Sequence, residues 1–214
     1  MENMPRRAEK LKIGVLASGR GTNLQSLLDA ARRPGSLFQV VAVMSDNPQA
    51  KALERAARAG VETVVIQKKE YPTRQQFDEA LALAAKGRGV ELVCLAGFMR
   101  VLSPAFLSRF RGRVINIHPS LLPAFPGLNA QRQALEYGVK VTGCTVHFVD
   151  EGVDTGPVIL QFPVDVEPED TEETLGARIL AREHMAYVKA VELIAQEKIP
   201  FPHPKLALPT GDRS

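Results

Sequence analysis

Two polar side chains, Asn116 and His118, alternate with Ile115 and Ile117 in Val114-Ile115-Asn116-Ile117-His118-Pro119-Ser120-Leu121-Leu122-Pro123. On a β-strand the period of two sends both polar groups to one face and both isoleucines to the other. An amide donor beside an imidazole suits hydrogen bonding to a developing oxyanion and proton transfer. The strand must stop there, because Pro119, Pro123 and Pro126 cannot sit in a central ladder. The pair therefore lies at a strand end facing a stiff loop, which makes it a candidate site. Leu122-Pro123 is a candidate cis bond in that loop. The plainer alternative for His118 is a strand-end histidine bonded to a backbone carbonyl.

A second constellation is Ser18-Gly19-Arg20-Gly21-Thr22-Asn23. It follows an apolar run and precedes Leu24, Leu27, Leu28 and Ala31, the spacing of a helix stripe. A glycine-rich strand-to-helix turn offers main-chain amides and a positive helix end to an anion. The third glycine of a dinucleotide fingerprint would fall at Leu24, and the Gly-Lys-Ser/Thr of a P-loop is missing, so one phosphate is expected. The alternative is a tight turn with Thr22 or Asn23 capping the helix. Arg74 and Arg100 could anchor a substrate, although an isolated arginine is usually a solvated one. The segment 97–102 is an apolar string able to line a pocket, and Asp150, Glu151 and Asp154 would ordinarily form turns. His118, His147, His184 and His203 lack zinc-ligand spacing, so no metal is implied and His147 reads as a strand residue.

The elements that must position these residues follow from periodicity. Runs at 11–17, 38–44, 61–66, 90–96, 141–149 and 158–166 read as strands, in addition to the one carrying Asn116. Helical spacing marks a helix with Leu53, Ala56, Ala57 and Gly60 on one face, another over 73–86, and a short one within 127–137. A long last helix has Leu180, His184, Val188, Val191 and Ala195 on one face, with Asp170 and Glu173 as a capping box. Alternating strands and helices imply a doubly wound, mostly parallel α/β sheet with flanking helices. Sites in such sheets lie beyond the carboxyl ends of the strands, where the glycine turn and His118 both fall.

Composition sets the outer bounds. At 45% apolar and 24% charged residues the chain matches an ordinary globular protein, read as a disordered lead-in over 1–10, one domain over 11–197 and an irregular proline-rich tail over 198–214. A formal charge of +3 without tryptophan suits a small anionic ligand and is a poor footprint for nucleic acid. The apolar run near the N-terminus is too short for a secretory or membrane segment. Cys94 and Cys144, without Cys-x-x-Cys spacing, are expected to be reduced structural thiols in a cytoplasmic protein.

From Ile13 to about Val188 the chain resembles the folate-dependent phosphoribosylglycinamide formyltransferases of purine synthesis. The resemblance rests on the glycine-turn motif from Ala17 to Leu24, Leu95-Ala96-Gly97-Phe98-Met99-Arg100, Asn116 to Pro123, and Asp154-Thr155-Gly156-Pro157-Val158-Ile159, taken in that order. It implies a Rossmann-like formyltransferase fold and transfer of a formyl group from 10-formyltetrahydrofolate to the amine of glycinamide ribonucleotide. It also implies Asn116, His118 and Asp154 as the catalytic trio. Gly21, Thr22 and Asn23 would hold the substrate phosphate and Glu183 the ribose. Arg74, the run Met99, Arg100, Val101 and Leu102, and the loop Asp150, Glu151, Gly152, Val153 and Asp154 would form the folate site. Partners would be these two small molecules, with neither nucleic acid nor membrane, in a monomer or weak homodimer. Two departures concern Asn129 and Gln131, where some members carry histidines, and Arg20, where some have asparagine. A formyltetrahydrofolate hydrolase would share the trio but is expected to carry an additional N-terminal domain, and a methionyl-tRNA formyltransferase an additional C-terminal one. A non-catalytic folate- or phosphate-binding module is the reading from another class, and the intact trio opposes it.

Overall fold

The computed structural model describes residues 9–207; residues 1–8 and 208–214, the outer parts of the expected lead-in and tail, lie outside them. Seven strands form one sheet: β1 (Leu11–Leu16), β2 (Phe38–Ser45), β3 (Glu62–Val65), β4 (Leu92–Leu95), β5 (Val114–His118), β6 (Val141–Phe148) and β7 (Val158–Asp165). Their order is β3-β2-β1-β4-β5-β6-β7. The first five are parallel, whereas β6 runs antiparallel to β5 and β7 antiparallel to β6. This is the expected doubly wound, mostly parallel sheet. The order of the strands reverses at β1, where β2 lies on one side and β4 on the other, the switch point at which such sheets bind ligands.

Alternation along the strands sorts the core into two faces. Leu11, Ile13 and Val15 of β1, Cys94 of β4, Ile115 and Ile117 of β5, and Cys144, Val146 and Phe148 of β6 share one apolar cluster. It is covered by α1 (Thr22–Ala31), α2 (Lys51–Arg58) and the long α6 (Glu172–Ala195). Leu16, Val93, Leu95 and Val114 belong to the other cluster, with Phe77 and Leu81 of α3 (Arg74–Gly87) and Phe106 and Leu107 of α4 (Pro104–Arg109). Asn116 and His118, out of phase with Ile115 and Ile117, must project to the α3–α4 side. β6 contributes Thr145 and His147 to that same side, since Cys144, Val146 and Phe148 face the other.

Several expectations need correction. On α2 the buried positions are Ala52 and Ala56, while Ala57 and Gly60 are exposed. The helix is rotated because Ala52 seats against the glycine turn, where a Cβ on Gly21 would come within 2.7 Å of the Ala52 backbone. On α6 the buried stripe runs through Leu175, Ile179, Glu183, Ala186, Tyr187, Ala190, Val191 and Ile194, leaving Leu180 and His184 only half-buried. An apolar-only pattern skips Glu183 and so places the face one position late. The capping box of α6 pairs Thr171 with Thr174. Asp170 sits just outside it, accepting from Thr174 Oγ1 at 2.8 Å and from both terminal nitrogens of Arg178. α4 was not expected, because one and a half turns show no periodicity. Within the tail expected to be irregular, α7 (Pro204–Ala207) forms one turn. There His203 N donates to Gly112 O at 2.9 Å, and Phe201 and Leu206 pack on the core.

Candidate active site

Antiparallel pairing sets Asn116 opposite His147 and His118 opposite Thr145. Asn116 Nδ2 and His147 Nε2 lie 3.3 Å apart, and His147 Nδ1 is 2.9 Å from the Phe148 carbonyl. That carbonyl takes the Nδ1 proton; one Asn116 amide hydrogen lies toward Nε2, which also faces Asp154, and the other is left for a ligand. The segment after β6 folds back over this face and delivers Asp154, in the left-handed region at φ 56, between two imidazoles. Its Oδ2 is 3.3 Å from His118 Nδ1 and its Oδ1 3.6 Å from His147 Nε2. Gly127 N donates to Oδ2 at 2.9 Å. Burial alone would push the Asp154 carboxyl up, but the His147 contact, the Gly127 amide and the charge of His118 outweigh it and hold the group below its ordinary value.

His118 is 5% exposed, and its second nitrogen, Nε2, lies 2.9 Å from the Phe125 carbonyl. Both ring nitrogens thus face acceptors. The loop carrying Phe125 is braced from the sheet. Thr145 Oγ1, fully buried, donates to Ser120 O at 2.6 Å and accepts from Leu122 N at 3.0 Å, while Gln161 Nε2 donates to Leu122 O at 2.8 Å. The Leu122-Pro123 bond is cis.

Beyond the end of β1, Gly21 is the N-cap of α1 in the left-handed region at φ 69, with no side-chain cap. The alternative that Thr22 or Asn23 caps the helix therefore does not hold; both lie inside it. The first intrahelical bond runs from Gln25 N to Gly21 O, so the amides before it face outward for an anion. A Cβ on Gly19 would meet nothing within 4 Å. Arg55 Nε donates to Arg20 O at 2.9 Å and its Nη1 to Gln25 Oε1 at 3.1 Å, clamping the turn. Half-buried His184 is held below its ordinary value, by burial first and by the Arg55 charge second. Gly21→Ala should cost about 1–3 kcal/mol, because it combines a positive φ with a backbone clash at Ala52. Thermal unfolding measures that loss, and the KM for a phosphorylated substrate should rise with it.

Asn23 and Glu183, far apart in sequence, meet in a buried hydrogen bond of 2.8 Å from Nδ2 to Oε2. Burial pushes the Glu183 carboxyl up, and the Asn23 bond only partly offsets this. The remaining sequence candidates divide. Arg74 donates to Val101 O and lies 3.7 Å from buried Asp78, which also accepts from Ser103 N at 2.8 Å. Arg100 pairs with Asp46. Met99 is 78% exposed and Val101 49%, whereas Leu102 is packed in the core and can offer a ligand little beyond its backbone. Asp150 closes its own turn, accepting from Gly152 N and Thr155 Oγ1, and Glu151, Gly152 and Val153 are exposed. His147, Thr145, Arg55 and His184 were missed. For His147 the signal was available in its phase, two residues on from Thr145 in a strand that could pair with β5.

A profile of the formyl transferase family matches residues 11–191. Phosphoribosylglycinamide formyltransferase of Mycobacterium tuberculosis is 49% identical over 86% of this chain and 85% of its own length. The human trifunctional purine biosynthetic protein adenosine-3 is 48% identical over 87% of this chain, and a Drosophila pseudoobscura counterpart 51% identical over 86%. The chain spans only 18% and 14% of those two proteins. The crystal structure of glycinamide ribonucleotide transformylase 1 from Symbiobacterium toebii superposes with a TM-score of 0.89 at 52% identity, covering 94% of each chain. Because the match begins at β1, ends within α6 and takes in every residue that converges at the strand ends, this chain belongs to the formyl transferase family.

Proposed function

We propose that the chain transfers the formyl group of 10-formyltetrahydrofolate to the amine of glycinamide ribonucleotide, a step of purine synthesis. The observation that carries this reading is the buried polar chain from Asn116 through His147 and Asp154 to His118, in a sheet whose β1 leads into a glycine turn suited to an anion, with neither thiol among the described residues activated as a nucleophile. Both thiols are buried on the opposite face of the sheet; burial pushes Cys144 up to about 12 and Cys94 higher still. The attacking group is therefore the substrate's own amine. It adds to the formyl carbon, the free Asn116 amide hydrogen stabilises the resulting oxyanion, and the bond from carbon to the folate nitrogen breaks. His118, oriented by Asp154, supplies the proton that the leaving nitrogen takes up once its Nε2–H turns from the Phe125 carbonyl. The amine proton is lost to solvent and His118 regains one from it, so charge and atoms balance.

In this reading Gly21, Thr22 and Asn23 hold the phosphate and Glu183 the ribose hydroxyls. The run at 99–102, exposed as far as Val101, and the loop 150–154 flank the folate, with Arg74 reaching its acidic end. The further activities of the trifunctional relatives are not carried over. Among the described residues no helix is long and apolar enough to cross a membrane. Mixing both substrates and following folate deformylation by absorbance tests the reading: turnover should require the ribonucleotide. Equal deformylation without it would make the chain a hydrolase, and ligand binding without turnover a binding module.

Glu183→Gln separates recognition from stability. The raised carboxyl means that above the unfolded value of 4.5 the unfolded chain releases a proton that the folded chain retains. Wild-type stability therefore falls as pH rises through that window, and the full penalty persists at neutral pH. Glutamine keeps an acceptor for Asn23 and removes the penalty. The variant should melt higher than wild type at pH 7 and no higher at pH 4, yet show a raised KM for the ribonucleotide.

A further inference from the structure

The chemistry proposed above uses neither oxygen of Asp46, at the end of β2, yet this one carboxylate holds both substrate regions. Ser18 Oγ, which opens the glycine turn, donates to Asp46 Oδ1 at 2.7 Å. Arg100 Nε, in the 97–102 segment, donates to Asp46 Oδ2 at 2.7 Å. The Asp46 side chain is 14% exposed, and the Arg100 guanidinium is steadied from below by the Phe77 ring, 5.4 Å away. Main-chain contacts run along the same seam: Ser18 N donates to Gly97 O, and Asn47 Nδ2 donates to Ser18 O, each at 3.2 Å. Charge-assisted bonds of this length are directional. A carboxylate whose two oxygens serve two different loops cannot follow one loop without disturbing its bond to the other.

We propose that Asp46 is a positioning residue that couples the phosphate turn to the folate-flanking segment, so that each substrate tightens the binding of the other. This rests on the functional reading given above. The coupling must be reciprocal, since it is a single free energy read from either side. Little of it should show in stability, because an ion pair with Arg100 40% exposed contributes little to folding.

Tetrahydrofolate and glycinamide ribonucleotide bind together without reacting, so calorimetric titration of each, with and without the other at saturation, measures the coupling. The wild-type chain should show about fivefold or greater mutual tightening. In Asp46→Asn the amide oxygen can still accept from Ser18, but its NH2 group faces Arg100, so the link is cut on one side only. The coupling factor should fall to one, while each single-ligand affinity and the melting temperature stay unchanged. Ser18→Ala should abolish the same coupling, and the double variant should lose nothing more. A wild-type factor of one, or an Asp46→Asn variant that keeps the wild-type factor, overturns the proposal. So does a variant that merely melts lower and weakens both ligands alike. A wild-type chain that binds neither ligand overturns the functional reading itself and this proposal with it.

Discussion

His118→Ala should lower the turnover number by about 10²–10⁴-fold, the usual contribution of a positioned proton donor, while the dissociation constant for glycinamide ribonucleotide stays at its wild-type value. The two effects separate because of where the residues lie. His118 closes the strand end beside Asp154, whereas the phosphate and ribose contacts proposed above would come from the N-terminus of α1 and from Glu183 on α6. Since His118 is nearly buried, alanine also leaves a small polar cavity. His118→Gln, closer in volume and with an amide nitrogen that reaches the place of Nε2 and can donate to Phe125 O, should retain the fold and show the same loss of rate. Steady-state kinetics with equilibrium binding checks both variants. Near-normal turnover in either would remove His118 from the chemistry.

Asp154→Asn should cost turnover on the order of 10²-fold for a related reason. One carboxylate faces both imidazoles, at 3.3 and 3.6 Å, and accepts the Gly127 amide. Asparagine tolerates the left-handed backbone at this position and can still accept from Gly127, so the loop should keep its course. It cannot neutralise an imidazolium, and with its oxygen kept on Gly127 N its NH2 group takes the place of Oδ1 opposite His147 Nε2. Rate should therefore fall with the melting temperature nearly unchanged. Comparing the two measurements distinguishes loss of charge from loss of structure.

Much of this architecture was legible in the residues because each local pattern had one physical solution. The alternation of Asn116 and His118 with two isoleucines placed the polar pair on one face, and the three prolines ended the strand there. The glycine turn before Leu24, Leu27 and Leu28 announced a helix N-terminus, and its Gly21 requirement proved double, through φ and through contact with Ala52. The two readings of His118, proton donor or carbonyl-bonded strand end, turn out to be compatible: one nitrogen meets Asp154 and the other the Phe125 carbonyl.

What escaped were contacts that depend on chain return. No periodicity says that the segment after β6 doubles back far enough for Asp154 to touch His118, and the resemblance alone supplied that expectation. His147 looked like strand filler because its importance comes from antiparallel register with Asn116, a property of two strands together. Glu183 was displaced from the buried stripe of α6 because a carboxylate does not count as apolar, although it is buried against Asn23. Arg74 and Arg100 looked like free cations in the sequence but are partnered to Asp78 and Asp46.

The central claim is that the formyl carbon goes to an amine through this polar chain. The most direct measurement follows an isotopically labelled formyl carbon by NMR as the protein turns over 10-formyltetrahydrofolate with glycinamide ribonucleotide. The account predicts that the label appears as the formamide of the ribonucleotide, at a rate that collapses in His118→Ala. Label released as formate, or formamide formed equally fast by the variant, would contradict it.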